Sequence, residues 1–307
     1  MSRSLASWSG LLNRHSGEWD AEILATIGLD EQHLPPLADY GTPQQGLLPV
    51  YARRWPQLAQ APFFLALGDG AAATIGAGVV DDAHLALTVG TTAAIRRLST
   101  TVQPVPAGLW SYRIGRGLYV SGGATSEGGN VYAWAQRTLQ LPDDVEQALQ
   151  TRPPTRHGLT ALPLFAGERS PGWQSNMRAA LYGIGLETTP LDILHALLEG
   201  VALRLATIAD LLDPAGTAEV YAGGGALIAS PAWAQIMANA LNRPLHLVDE
   251  AEVTARGVAG LVLKALGYTV SPMPRIHMRL TPDAKAAHAL AAARKRQQAL
   301  YNWLRTS

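Results

Sequence analysis

What most constrains this chain is the order of chemistry within residues 63–92. An apolar run, Phe63-Phe64-Leu65-Ala66-Leu67, stops at Gly68, and a single carboxylate, Asp69, follows with Gly70 behind it. Small residues from Ala71 to Gly78 continue in a helix-compatible run. A second apolar segment, Ala86-Leu87-Thr88-Val89, then ends in Gly90-Thr91-Thr92. An apolar run of five bounded by glycine has the length of a strand. The pattern therefore predicts a buried element ending at Gly68, with Asp69 at its tip and no neighbouring side chain to cover it. A carboxylate held there can take a proton from a hydroxyl, as a general base must. A glycine turn with two threonines offers N–H groups and hydroxyls to a phosphate oxygen. Gly-Asp-Gly and Gly-Thr-Thr each also serve as plain structural turns. Their order gives them weight, because a base followed by a phosphate cradle points to phosphoryl transfer onto an alcohol.

Two further glycine turns lie downstream. Ser121-Gly122-Gly123-Ala124-Thr125-Ser126-Glu127-Gly128-Gly129-Asn130 leads into helix signals that run to Leu139. Glycine there serves either close helix packing or close approach of backbone to a ligand. Val220-Tyr221-Ala222-Gly223-Gly224-Gly225 is followed by Ser230 and Pro231, a cap and first helical residue, and later by the apolar segment Leu245 to Val248. That is a βαβ-like unit with bare backbone at its turn. It is not a dinucleotide fingerprint, because Ile228 stands where the third glycine belongs. Nor is it a Walker loop, since lysine occurs only at 264, 285 and 295.

These strings together resemble the FGGY family of carbohydrate kinases, two-lobed ATP-dependent sugar kinases of the actin-like (ribonuclease H-like) class. Gly68-Asp69-Gly70-Ala71 and Thr88-Val89-Gly90-Thr91-Thr92 are similar to its carboxylate and second phosphate motifs, and Gly223-Gly224-Gly225 to its adenosine motif. Gly167-Glu168-Arg169-Ser170-Pro171 resembles the Gly-Glu-Arg-x-Pro loop of the gluconate and xylulose kinase branches. Ala179 to Ile184 with Asp192 to Glu199 resembles the second family signature. The resemblance implies an α/β, actin-like fold with a complete C-terminal lobe at 81–307 and the remainder of an N-terminal lobe at 1–80. It implies Asp69 as catalytic base, Asp69 and Gly70 at the sugar, and Gly90, Thr91, Gly129, Gly224 and Gly225 at the nucleotide. ATP with Mg2+ and a gluconate-like or xylulose-like sugar are the implied ligands. In some relatives the position of Ala229 carries an asparagine that touches the nucleotide, so that contact is absent here.

Only the C-terminal part of the family's architecture is matched. Asp39-Tyr40-Gly41-Thr42 spells the first phosphate motif of actin-like kinases, but it follows the Pro-rich stretch around Pro35-Pro36 rather than an apolar strand, and it reads as a loop. With that clamp missing, the 307-residue chain alone is expected to turn over little or nothing. The alternatives are a non-catalytic nucleotide-binding remnant, or half of a split kinase that pairs with a separate N-terminal half or with a second copy of itself.

Composition narrows the remaining classes. Lysine plus arginine and aspartate plus glutamate both number 24, so no charge excess draws the chain to nucleic acid or an anionic membrane. Cysteine is absent, which excludes disulfides, thiolate metal sites and cysteine nucleophiles. The eight histidines form no His-Glu-x-x-His pattern, and no metal-ligating residue is assigned. No apolar run reaches membrane-spanning length, so a cytoplasmic protein is expected.

Element signals complete the expectation. Asp20 caps a helix over 21–27, and residues 141–160 read as surface loop. Thr189, Pro190 and Asp192 open a long core helix whose stripe is Leu194, Leu197, Val201, Leu205, Ile208 and Leu212. Gly267 stops a helix that begins near Glu252, and Thr281 to Leu304 forms a terminal helix.

Overall fold

The computed structural model describes residues 1–306. Its centre is a seven-stranded mixed sheet: β1 (His84–Val89), β2 (Ala93–Ser99), β3 (Trp110–Gly115), β4 (Leu118–Thr125), β5 (Glu219–Gly223), β6 (Leu245–Val248) and β7 (Ile276–Leu280). The spatial order is β7-β6-β5-β1-β2-β4-β3. Strands β1, β5 and β6 run parallel, and the remaining pairs are antiparallel. The helices of eight or more residues are α1 (Asp69–Gly76), α2 (Gly129–Thr138), α3 (Pro190–Leu212), α4 (Pro231–Leu241), α5 (Val253–Ala265) and α6 (Ala284–Thr306).

Side chains alternate across a strand, so the sheet feeds two cores. Leu85, Leu87, Val89, Ala93 and Ile95 face the layer of α3 and α4, where Leu194, Leu197, Val201, Leu205 and Ile208 are fully buried. Ala86 and Leu98 face the opposite layer, with Ala71 of α1 and Tyr221. Thr189 caps α3 and Asp192 returns the bond, as the capping-box spacing predicts. On the other face α1 and α5 touch backbone to backbone. A Cβ on Gly76 would sit 1.7 Å from the Val253 carbonyl oxygen, and one on Gly257 would sit 1.9 Å from that of Ala72.

The structure departs from expectation at the run 63–67. Only Pro62–Phe63 forms a strand, paired with Gln44–Gln45 outside the main sheet. Among the described residues no strand of the main sheet lies beside the run to accept its ladder, so Phe63 stays exposed while Leu67 packs toward α1. Four short helices were not signalled: Arg3–Trp8, Pro49–Arg54, Val145–Thr151 and Gly225–Ala229. The first is too short for an apolar period to register. It is held by serines instead: the Ser2 hydroxyl donates to the Ala66 carbonyl (2.6 Å), Ser4 Oγ accepts from the Gly68 N–H (3.1 Å) and Ser7 Oγ accepts from the Arg113 N–H (2.9 Å). The residues leading into Asp69 are thereby tied to the edge of the sheet.

Candidate active site

A cleft of about 750 Å³ opens where three glycine turns meet. Gly90 and Thr91 come from the β1–β2 turn, Gly129 from the start of α2, and Gly225 from the turn after β5. The Gly129 N–H donates to the Gly90 carbonyl (2.7 Å) and the Asn130 N–H to that of Thr91 (3.2 Å), so the first two turns interlock. That contact needs glycine, because a Cβ on Gly128 would lie 2.7 Å from the Thr92 carbonyl carbon. Gly129 therefore helps to shape the wall, and its amide is already spent on protein.

The two glycines expected at the adenosine differ. Gly225 lines the cleft, and a Cβ built on it meets nothing within 4 Å. Gly224 is not part of the lining. Its φ of +104° lies in the region that favours glycine, and a Cβ there would stand 2.3 Å from the Val89 carbonyl oxygen. Its place is against β1.

Sequence reasoning missed the α2 side of the cleft: Asn130, Tyr132, Gln136 and Arg137. Their helical spacing and mixed polarity were visible, but only the fold turns that stripe toward Gly225. No acidic residue lines the cleft, and Arg137 is exposed beside it, which suits a polyanionic ligand. Glu127, just behind the interlocked turns, is buried and accepts the Ala166 N–H (3.0 Å); burial pushes its carboxyl up to about 7.

Asp69 is the first residue of α1 and is exposed, though glycines on both sides of it are buried. Its Oδ1 accepts the Gly70 N–H at 2.6 Å, which orients the carboxylate at the helix start. Under this first turn lie Arg96 of β2 and Tyr112 of β3: a Cβ on Gly70 would meet the Tyr112 hydroxyl at 3.1 Å and Arg96 Nε at 3.2 Å. Burial lowers the Arg96 guanidinium from its ordinary value, against the opposing pull of Tyr112 and Asp69. Burial likewise pushes the Tyr112 hydroxyl up to about 12. Trp8 packs its ring edge-on to Tyr112 (5.2 Å), and Trp110 stacks on the same tyrosine (5.1 Å). Strand β2 thus joins the two regions, since it leaves the Gly90–Thr92 turn and carries Arg96 beneath Asp69.

The Gly-Glu-Arg-x-Pro loop has a structural anchor. Glu168 is buried, pairs with Arg204 of α3 and accepts the Tyr301 hydroxyl of α6 (2.6 Å). Arg169 beside it is exposed. Asp39 accepts the Arg116 N–H (3.0 Å) at the tip of the β3–β4 hairpin, so the Asp-x-Gly-Thr string is a loop docked on a turn and is not part of the cleft. His157, His195 and Glu199 cluster closely enough to suggest a metal. However, His157 Nδ1 accepts the Leu159 N–H (3.0 Å), which leaves the proton on Nε2, and Nε2 donates to Glu199 (3.0 Å). A nitrogen that carries a proton cannot ligate, so the trio acts as a clamp between the loop 155–159 and α3.

Comparison with known proteins places the sequence and the fold. The sequence model of the FGGY family of carbohydrate kinases, C-terminal domain, matches residues 85–266. A gluconokinase of Bacillus licheniformis is 28% identical over 282 residues, covering 86% of this chain and 55% of its own. A glycerol kinase of Oleidesulfovibrio alaskensis is 30% identical over 98% of this chain and 61% of its own. The chain thus spans little more than half the length of these relatives. Among solved structures, a ligand-bound xylulose kinase of Lactobacillus acidophilus superposes with a TM-score of 0.91 at 26% identity, covering 100% of this chain and 65% of its own. A gluconate kinase of the same organism superposes with a TM-score of 0.90 at 25% identity, over 99% and 64%. The fold is the actin-like ATPase fold of these sugar kinases.

Proposed function

The chain belongs to the FGGY family of carbohydrate kinases, phosphotransferases with an alcohol group as acceptor, and on that premise we propose that it provides the nucleotide site and the general base for ATP-dependent phosphorylation of a sugar or sugar-acid hydroxyl. One observation carries the reading. Gly90, Thr91, Gly129 and Gly225 are drawn from three separate segments of chain into the lining of a single cleft. In this reading residues 81–307 are the C-terminal lobe and residues 1–80 the remainder of an N-terminal lobe, joined by the contact of α1 with α5.

Phosphoryl transfer of this kind is mostly positioning and charge management. The exposed side of Asp69 accepts the proton of the attacking hydroxyl while Oδ1 stays on the Gly70 N–H. The Thr91 hydroxyl and the Gly90 turn hold the transferring phosphate. Gly225 lets the nucleoside lie against bare backbone, with Tyr132 as a wall and Arg137 at the rim. Magnesium brought with the nucleotide would supply neutralisation of phosphate charge.

A second reading, half of a split kinase or a nucleotide-binding remnant, is favoured by one feature. Leu48 (67% exposed), Val50, Tyr51 and Phe63 present apolar side chains to solvent near the start of the chain. Calorimetric titration with MgADP and MgATP tests both readings. The expected result is binding by the 307-residue chain with little or no turnover of gluconate or xylulose. No heat and no thermal shift at millimolar nucleotide would remove the nucleotide assignment. Efficient turnover by this chain alone would remove the split reading.

A further inference from the structure

The cleft is lined by more polar side chains than it can offer to a ligand. Asn130 is committed to its own turn: its Oδ1 accepts the Gly128 N–H (2.9 Å) and its Nδ2 donates to the Ser126 carbonyl (2.9 Å). The Ser230 hydroxyl donates to Glu146 (2.7 Å) and accepts the Trp233 N–H (3.2 Å). Trp233 is fully buried, and its ring N–H goes to the Leu198 carbonyl (3.1 Å). Thr91 lies in the turn assigned to the phosphate. What remains is Tyr132, Gln136 and Arg137, together on one face of α2. Tyr132 is half-buried, while Gln136 and Arg137 are exposed. Among the described residues the side chains of Gln136 and Arg137 make no hydrogen bond or ion pair. The other wall, Gly225 with Ala226 and Ala229, brings no polar side chain.

This distribution bears on which nucleobase the cleft can select. A site rejects the wrong base when that base leaves polar groups buried and unpaired. An exposed side chain that finds no partner on the base returns to water, so the wrong base costs it little. Adenine carries an amine at ring position 6, which donates, where guanine carries a carbonyl, which accepts. The Gln136 amide has both a donor and an acceptor end, and a half-turn about its last bond exchanges them. Arg137 is a flat cation that can lie on the face of any base. Tyr132 adds ring area, and stacking on an aromatic ring tolerates every base, because each has a π-face.

We propose that the cleft takes purine nucleotides without distinguishing adenine from guanine, so that the phosphoryl donor is not confined to ATP. This rests on the reading of the cleft as a nucleotide site, and the tolerance itself follows from which polar side chains are already spent and which are exposed. The base is held by contact with the Tyr132 ring, the Arg137 plane and the glycine and alanine wall. Gln136 adds a hydrogen bond that either purine can satisfy.

Isothermal titration of the full 307-residue chain with MgADP, MgGDP and magnesium pyrophosphate, which has no base, tests this. ADP and GDP should bind within about tenfold of each other. Both should bind at least about fivefold tighter than pyrophosphate, the low end of what one stacked ring contributes. Gln136→Ala and Arg137→Ala, at exposed positions that cannot disturb packing, should each weaken ADP and GDP alike. Tyr132→Phe keeps the ring and its contact with Trp233 (centroids 6.5 Å apart) and should leave both affinities in place. A preference beyond about tenfold for either purine overturns the proposal and leaves the nucleotide reading standing, with the main chain at Gly225 as the reader of the base. So does any of the three variants that shifts the ratio of the two affinities by more than about threefold. Pyrophosphate binding as tightly as the two diphosphates overturns it as well, because the base would then not be held. A chain that binds none of the three sinks the nucleotide reading and the proposal together.

Discussion

At Asp69 the side chain is exposed and oriented by one backbone N–H, which leaves the second oxygen open to a hydroxyl. Asparagine keeps the size and the acceptor for the Gly70 N–H but cannot take a proton. In an enzyme completed by an N-terminal half, Asp69→Asn should lower sugar phosphorylation by about 10²- to 10⁴-fold, the usual loss of a positioned base. Nucleotide affinity measured by calorimetry should barely change, and full activity in that variant would remove the assignment. The adjacent glycines 224 and 225 make a sharper pair. Gly225 has open space before it, so Gly225→Val should fold normally, with a near-native melting temperature, and lose at least about tenfold in MgADP affinity. Gly224→Ala meets the Val89 carbonyl in a left-handed conformation and should cost about 1–3 kcal/mol of stability, seen as a lower melting temperature. If both variants instead behaved alike in stability and binding, the division between a ligand-facing and a strand-facing glycine would be wrong.

At the level of elements, two buried polar groups, Glu127 behind the interlocked turns and His195 on α3, set opposite pH dependences. Burial raises Glu127 from its ordinary 4.5 to about 7. Between those values the folded chain holds the proton that the unfolded chain has released, so stability falls as pH rises. Its contribution is full below about pH 4.5 and gone above about 7. His195 on α3 moves the other way, with burial lowering it from 6.5 to about 4. There the unfolded chain binds the extra proton, so stability is full above pH 6.5 and lost as pH falls through about 4. Glu127→Gln should therefore raise the melting temperature at pH 8, on the order of the 2–4 °C that 1 kcal/mol produces in a domain of 150–250 residues. The gain should shrink to nothing near pH 4.5. His195→Gln should flatten the acid limb between pH 6.5 and 4 relative to the unsubstituted chain. Thermal scans across pH 4–8 check both, and a pH-independent offset in either variant would mean that its charge state is not the cause.

For the molecule as a whole, the apolar side chains of Leu48, Val50, Tyr51, Trp55, Leu58 and Phe63 stand at least 40% exposed within one short stretch. Patches of this kind favour association, so the purified chain should dimerise or aggregate. Light scattering of a stable monomer, with no binding of an apolar-surface dye, would show that this face needs no cover. Much of the rest was legible from residues alone. The cap and stripe of α3, the helix stop at Gly267 and the three glycine turns that meet at the cleft follow from local rules of period, capping and backbone freedom. These are short-range properties, and the chain carries them wherever it folds. The run 63–67 was misread for the same reason, since its pattern is that of a strand but a strand needs a neighbour that the local sequence cannot supply. Nor could residue patterns separate Gly224 from Gly225, turn Gln136 and Arg137 toward the cleft, or set Arg96 beneath Asp69. The sequence by itself determined the family and the order of the turns, and singled out Asp69 as the candidate base. Tertiary structure alone decided which glycine faces the cleft and which faces the strand, because that depends on contacts between segments far apart in the chain.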